Sequence, residues 1–329
     1  MSTTTRNPSV LVTGGSGFIG TNLIQYYLDQ GAEVVNIDVR PPRNPDHRHV
    51  WFDRDILDKN ALSELVRSFS PDYVFHLAAR TDLNGKSLED YAANTIGVSN
   101  LVEVVNDLPD LRRVIYASSL LVCRLGYQPE SYQDYCPPNL YGRSKVIGER
   151  IVADQSRRGA PWVIVRPTSI WGPWFDVPYK RFFSAIQKGR YFHPKGIQIE
   201  RSYGFVLNTV HQLARLAHSD LDNLVSRILY LADYEPVNLR DWGEMIRSAM
   251  KKGRIRELPV PLLRGIAQFG DLLTFLGYSD PPLTSRRLGN LLTNAVVDLT
   301  DLERLCPELP YGTPQGVALT VAWMQQNGT

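Results

Sequence analysis

A tyrosine and a lysine four residues apart, in the run Tyr141-Gly142-Arg143-Ser144-Lys145, are the pair whose types and spacing suit proton transfer. On a helix that spacing puts both on one face, close enough for the ammonium to act on the phenol. An unperturbed tyrosine titrates near pH 10, so bringing it about three units toward neutrality needs roughly 4 kcal/mol of preferential phenolate stabilisation. A fixed lysine cation and a positively charged nicotinamide ring, in a dry cleft, would supply it. Tyr141 would then take the proton from a substrate hydroxyl while hydride leaves the same carbon, with Ser119 holding the oxygen. The same spacing also occurs in ordinary surface helix pairs, so the reading depends on what precedes it in the chain.

What precedes it is a short apolar run, Val10, Leu11 and Val12, suited to a buried parallel strand and followed at once by Thr13-Gly14-Gly15-Ser16-Gly17-Phe18-Ile19-Gly20. Glycine at 14, 17 and 20 fits a G-x-x-G-x-x-G variant of the dinucleotide fingerprint. The first allows the tight turn, the second lets backbone approach a pyrophosphate, and the third lets the helix pack closely on the strand. The phosphates would sit on the free N–H groups of the helix beginning near Gly17. An ordinary glycine-rich strand-to-helix turn is the bland alternative. Asp38 ends the second strand, 32–38, about twenty residues past the glycines, where a carboxylate accepts hydrogen bonds from the ribose hydroxyls and repels a 2′-phosphate. NAD is therefore favoured over NADP, although Arg40 could swing toward a phosphate and Asp38 could be a solvated turn residue.

The elements that must position these groups alternate. Helices are expected over 17–30, from the cap Asp58 to Phe69, and over 87–108; further strands are expected at 50–52, 72–79 and 113–119. The small residues Ala78 and Ala79 at a strand end let a ligand lie against backbone, or are plain core. Asn94, Gly97 and Asn100 lie inside a helix, and the asparagines need partners, expected on the adjoining strands. The order predicts an α/β fold: a Rossmann-type doubly wound parallel sheet over 1–173, then a smaller substrate lobe over 174–329 that returns at least one strand, 227–232, to the sheet.

Composition bounds the function. The 329 residues are 43% hydrophobic and 21% charged, with a net charge of +2, which offers no basic field for nucleic acid. No apolar stretch is long enough for a signal peptide or a bilayer span, so no membrane partner is expected. Cys123, Cys136 and Cys306 are odd in number and lack metal-ligand spacing, which fits free thiols in a reducing cytoplasm. His47 and His49 read as a solvated loop rather than a metal site, and no metal is expected.

Taken together, TGGSGFIG at 13–20, Asp38, Asp55-Ile56, HLAA at 76–79, the stretch from Asn94 to Asn100, YASS at 116–119, YGRSK at 141–145 and Arg166-Pro167 running to Trp171-Gly172-Pro173 resemble the extended short-chain dehydrogenase/reductase superfamily. The branch they resemble is the NAD-dependent epimerase/dehydratase type that modifies nucleotide sugars. The resemblance covers nearly all of the first half of the chain and is specific for fold and cofactor, much less for substrate. It implies a cofactor site of Gly14, Gly17, Phe18, Ile19, Gly20, Asp38 and Asn94, with Asp55 and Ile56 on adenine. Leu77, Ala78 and Ala79 would lie along the dinucleotide, and Tyr141 with Lys145 would bind the nicotinamide ribose. Ser119 aligns with the catalytic Ser/Thr, while Ser118 is expected to satisfy backbone. Family members commonly dimerise through the helices corresponding to 87–108 and 142–158, so a homodimer is expected.

The departures bear on the reaction. Dehydratases of the family carry an Asp-Glu pair directly after the catalytic Ser/Thr, and sugar-acid decarboxylases keep the Glu; here the positions hold Leu120 and Leu121, which move no proton. Val122-Cys123-Arg124 replaces the usual Val-Tyr-Gly, and Ser169 stands where an Asn is common. Arg201 resembles the Arg of the family's Arg-Asp-Tyr segment, whose guanidinium meets a diphosphate; a surface ion pair is the alternative. The apolar run 262–276 reads as lobe core or lid rather than a membrane anchor, and Arg286 and Arg287 as a solvated face. The leading expectation is an NAD-dependent C4 epimerase of a nucleotide sugar. The second is a net dehydrogenase or 4-keto reductase acting on a nucleotide sugar or on an apolar alcohol of hydroxysteroid type. An NAD-sensing binding protein is the non-enzymatic third, and intact Tyr141 and Lys145 count against it.

Overall fold

The computed structural model describes residues 7–155, 161–176, 178–220, 227–278 and 281–328. Its centre is a seven-stranded sheet. The strands are β1 (Ser9–Thr13), β2 (Glu33–Ile37), β3 (Trp51–Phe52), β4 (Tyr73–His76), β5 (Arg113–Ala117), β6 (Trp162–Pro167) and the late strand Ile228–Leu231. They run in the order Ile228–Leu231, β6, β5, β4, β1, β2, β3, with every pairing parallel. Strand order reverses at β1, which lies between β2 and β4, and such a switch point opens a crevice at the carboxyl ends of the strands.

Helices α1 (Phe18–Asp29), α2 (Lys59–Phe69), α3 (Ala92–Asn106), α4 (Leu140–Gln155), α5 (Tyr179–Gln187) and α6 (Val206–His218) follow in chain order. Alternate strand positions Leu11, Val35, Val74 and Val114 pack with Leu62 and Val66 of α2, Val98, Leu101 and Val105 of α3, and Val152 of α4 in one sealed cluster. This is the burial on one sheet face that the strand period of two dictates. Asp58 caps α2 as expected, its Oδ1 accepting from the Asn60 and Ala61 N–H groups at 3.1 Å each.

Several expected boundaries move for local reasons. The helix expected from 87 begins at Ala92, because Glu89–Tyr91 form a 3-10 turn and the Asp90 carboxylate accepts from the N–H groups of Lys86 and Ser87. The strand expected to run to 79 ends at His76, and the one expected to run to 119 ends at Ala117. The helix expected over 142–158 starts at Leu140; positions 156–158 lie outside the described residues.

The chain divides into two compact units. One comprises 1–170, 204–232 and 298–310, and the other 171–203, 233–297 and 311–329. In the second unit α7 (Leu239–Ala249) packs on α5 and on the terminal helix Thr313–Gln326, around Trp242, whose ring meets Trp171 at 5.3 Å and stacks on Phe182 at 4.9 Å. The run expected as lobe core is α8 (Val260–Phe275), followed by α9 (Ser285–Leu292). That expectation holds for one face only: Leu263 and Ala267 pack with Leu288 of α9, while Leu262, Ile266, Phe269, Leu272 and Phe275 are exposed.

Candidate active site

The glycine turn joins β1 to α1 at the switch point. Gly14 has φ +74°, a left-handed conformation, and a Cβ built on it would stand 2.5 Å from the Ala78 backbone nitrogen. Only glycine lets the two loops approach this closely. Gly17 is the N-cap of α1 and offers no side chain to it. The N–H groups of the first turn, from the half-buried Phe18 and Ile19 to the buried Gly20, therefore remain for an anion. Leu77 and Ala79 are half-buried with Ala78, and the Leu77 N–H donates to the Thr13 carbonyl at 2.9 Å.

Asp38 is buried rather than a solvated turn residue. Its Oδ2 accepts from the Ser16 N–H at 3.1 Å and its Oδ1 from the Arg40 N–H at 2.9 Å, so the carboxylate braces the glycine turn. Burial raises its carboxyl above the ordinary value, partly offset by those bonds and by the Arg40 charge. A cradle with no room for Cβ, open helix N–H groups and an acceptor at the end of β2 together fit an adenine dinucleotide.

The residues expected on adenine divide. Asp55 is exposed and its Oδ1 accepts from the Leu57 N–H at 2.9 Å, whereas the Ile56 side chain lies in the core, where a Cβ at Gly97 would touch its Cδ1 at 2.5 Å. The two helix asparagines find partners elsewhere than on strands. Asn94 bonds both the N–H and the carbonyl of Arg80, at 2.8 and 3.0 Å, and the Ser144 hydroxyl at 2.9 Å; Asn100 donates to the Ile56 and Leu57 carbonyls. Asn94 thus ties the loop after β4 to α3 and α4, with its amide engaged inside the protein.

Tyr141, Ser119 and Lys145 come together where β5 ends and α4 begins. A Cβ at Gly142 would stand 2.2 Å from the Leu121 carbonyl oxygen, so the missing side chain is what lets α4 approach this turn. The Ser119 hydroxyl caps the turn Leu120–Val122, accepting from the Leu121 N–H at 3.1 Å, and lies near enough to the Tyr141 phenol to pull its titration downward. The protein's own groups do not lower the phenol. Burial holds Tyr141 above its ordinary value, with Ser119 pulling the other way. Lys145 donates its Nζ to the Ala117 carbonyl at 2.9 Å, and burial brings its ammonium down to about 8 against an upward pull from Glu149. His76 is sealed beside them, its Nδ1 2.7 Å from the Thr13 hydroxyl, and burial with the Lys145 charge lowers it to about 3, so the ring is neutral.

Beneath this group lies a pair that sequence reasoning passed over. Glu149, one helical turn beyond Lys145, meets Arg166 of β6 with both side chains sealed from water. Ser118, expected to satisfy backbone, instead donates its hydroxyl to Glu149 Oε1, and the Tyr135 hydroxyl donates to Oε2 at 2.9 Å. The available signal was a third residue at the Tyr141 and Lys145 spacing, an acid with a single arginine on the neighbouring strand.

His47 is buried rather than solvated, its Nε2 2.9 Å from the Gln25 side-chain oxygen. Among the described residues no three His, Cys, Asp or Glu side chains gather as metal ligands would. Ser169, in the first unit, is half-buried at the start of the short strand Ser169–Trp171. Arg201, in the second unit, is buried rather than a surface ion pair; its Nη2 donates to the Asn290 carbonyl, and its Nε has no partner among the described residues.

A sequence model of the NAD dependent epimerase/dehydratase family matches residues 10–193. A 3 beta-hydroxysteroid dehydrogenase/Delta 5-->4-isomerase of Mycobacterium tuberculosis is 29% identical over 267 residues, 75% of this chain and 71% of that protein. A probable dTDP-glucose 4,6-dehydratase of Sinorhizobium fredii is 30% identical over 97% of this chain and 93% of its own length. Among solved structures, UDP-glucose 4-epimerase of Thermotoga maritima with UDP-glucose superposes with a TM-score of 0.73 at 17% identity, covering 98% of this chain and 100% of that one.

Proposed function

The chain belongs to the NAD-dependent epimerase/dehydratase family, and on that premise we propose that it is a nucleotide-sugar C4 epimerase, oxidising a sugar hydroxyl to a transient ketone and reducing it from the other face. The dinucleotide would be held by the N–H groups behind Gly14, Gly17 and Gly20 and by Asp38, with Leu77, Ala78 and Ala79 along it. Bound there, NAD supplies the hydride acceptor and, when oxidised, a positive ring that favours a phenolate. Tyr141 takes the proton of the substrate hydroxyl and later returns it; Ser119, near the phenol, holds the same oxygen; Lys145 orients the ribose and lends its charge. Ser169 and Arg201 are assigned to substrate, the unpartnered Arg201 Nε being a donor suited to a diphosphate oxygen.

The observation that carries the reading is the gathering of Ser119 and Tyr141, where β5 ends and α4 begins, beside two leucines. Oxidation and re-reduction need one base, whereas elimination of water needs a further acid and base, which Leu120 and Leu121 cannot provide. The test is to incubate the purified chain with UDP-, dTDP-, CDP- and GDP-sugars. Interconversion of C4 epimers without net NADH production supports the proposal, and absence of binding to every such nucleotide overturns it.

A second reading, a net dehydrogenase or 4-keto reductase that includes apolar alcohols among its substrates, is favoured by the leucines themselves and by the hydroxysteroid dehydrogenase relative. Stoichiometric NADH release would select it. A cytoplasmic homodimer, paired through the outward surfaces of α3 and α4, completes the proposal; Ile96 on α3 is 57% exposed, and the described cysteines are free thiols.

A further inference from the structure

Helix α8 carries an apolar stripe that the rest of the protein leaves uncovered. Leu262, Ile266, Phe269 and Leu272, with Leu276 at the C-cap, recur at the spacing of one helical face, roughly a third of a turn from the face that Leu263, Ala267 and Gly270 bury. Exposure reaches 60% at Phe269, 86% at Phe275 and 70% at Leu276, with Tyr278 at 57% just beyond. Scattered apolar residues on a surface need no explanation, but a continuous stripe of large ones does.

The segment that leads into α8 is basic. Strand Arg256–Leu258 runs directly into the helix, and a recess of about 390 Å³ at its start is lined by Lys188, Arg247, Lys252, Arg254 and Arg256. Of these only Arg247 has a carboxylate partner, Glu244, among the ion pairs of the described residues. The recess and the helix belong to one structural piece, because this strand pairs with Phe192–Pro194, and Phe192 and Leu258 pack against the buried face of α8.

We infer that α8 and the basic recess together form a docking surface for an anionic phospholipid bilayer, the apolar stripe entering the headgroup boundary and the cations meeting lipid phosphates. An amphipathic helix beside a group of Lys and Arg has the two features that interfacial binding requires. No described helix is long and apolar enough to cross a membrane, so the contact is with one leaflet. A second copy of the chain is a poorer occupant. A second copy brings the same cations and so offers them no complementary charge, whereas the phosphates of an anionic surface do.

The test is co-sedimentation of the full chain with vesicles of phosphatidylcholine alone and of phosphatidylcholine mixed with phosphatidylglycerol. Partitioning at least about tenfold stronger onto the anionic vesicles is expected, weakening as salt is raised. Lys252→Glu with Arg254→Glu should abolish the preference, and Phe269→Glu should release the protein at every composition; both sites are exposed, so the thermal unfolding midpoint should stay unchanged. Failure to pellet with anionic vesicles overturns the inference, as does equal binding to neutral ones. So does a dimer in sedimentation equilibrium that Phe269→Glu dissociates while wild type ignores vesicles. None of these outcomes depends on the epimerase assignment.

Discussion

Arg166 grips Glu149 through two parallel bonds, Nε to Oε1 at 2.8 Å and Nη2 to Oε2 at 2.7 Å. Two further donors of the arginine go to the Tyr132 carbonyl at 2.6 Å and the Tyr230 hydroxyl at 3.2 Å, so four of its five N–H groups are engaged. The pair fastens α4 to β6 one turn beyond Lys145 and holds Ser118, the neighbour of Ser119. It therefore holds in place the elements that carry Ser119, Tyr141 and Lys145.

Removing one partner strands a charge in the core. Glu149→Ala should destabilise the chain by about 3–5 kcal/mol, read from urea unfolding, and Arg166→Met should do likewise. The double variant Glu149→Ala/Arg166→Met should recover much of that loss, since no lone buried charge remains. Additive single effects would show that the pair is not coupled.

Tyr141→Phe should lower kcat by about 10²–10⁴-fold while leaving NAD affinity, followed by protein fluorescence, within a factor of a few. Ser119→Ala should cost about 10²-fold, because the oxygen keeps the phenol as one partner. Retained turnover in Tyr141→Phe would remove the phenol from the reaction.

The Lys145 ammonium, brought down by burial to about 8, sets an alkaline limit. Its charge favours the phenolate, so kcat/KM should fall above an apparent pKa near 8, and Lys145→Met should lose that limb along with most activity. Stability moves the other way. Between about 8 and the ordinary 10.5 the unfolded chain holds the proton and the folded chain does not, so stability rises with pH across that window. Urea midpoints taken on either side of the window check the sign.

The fold and the gathering of Ser119, Tyr141 and Lys145 were legible because their signals are local. Gly14, Gly17 and Gly20 mark a turn, Tyr141 and Lys145 share a helix face, and apolar runs alternate with amphipathic ones. What escaped was non-local: the partner of Glu149 is 17 residues away on another element, and burial rather than spacing decides how Tyr141 titrates. Asn94 was legible as a residue needing partners, but not that they would be the Arg80 backbone and Ser144. The open stripe of α8 misled for a related reason, since periodicity shows that a helix has an apolar side and not whether anything covers it.

His76 makes the chain acid-sensitive. Burial and the Lys145 charge hold its ring at about 3, against an ordinary 6.5, so between those values the unfolded chain takes up a proton that the folded chain refuses. Stability from this source is full above 6.5 and falls as pH drops toward 3, by roughly 5 kcal/mol in all. His76→Gln, which keeps a polar partner for Thr13, should flatten the fall in urea midpoint between neutral pH and about pH 5. An unchanged slope would place the titration elsewhere.

Gly142→Ala tests whether the approach of α4 to the turn after β5 sets the catalytic geometry. The added Cβ would stand 2.2 Å from the Leu121 carbonyl oxygen, a backbone atom that cannot swing aside as a side chain would. Either α4 or the turn must shift, at a cost of about 1–3 kcal/mol in stability. The shift also separates Tyr141 from Ser119, because each residue adjoins one side of the contact. Activity should therefore fall by roughly 10²-fold while NAD still binds at the distant glycine turn. A variant that unfolds more easily yet turns over at the wild-type rate would show that the closeness of α4 serves packing alone.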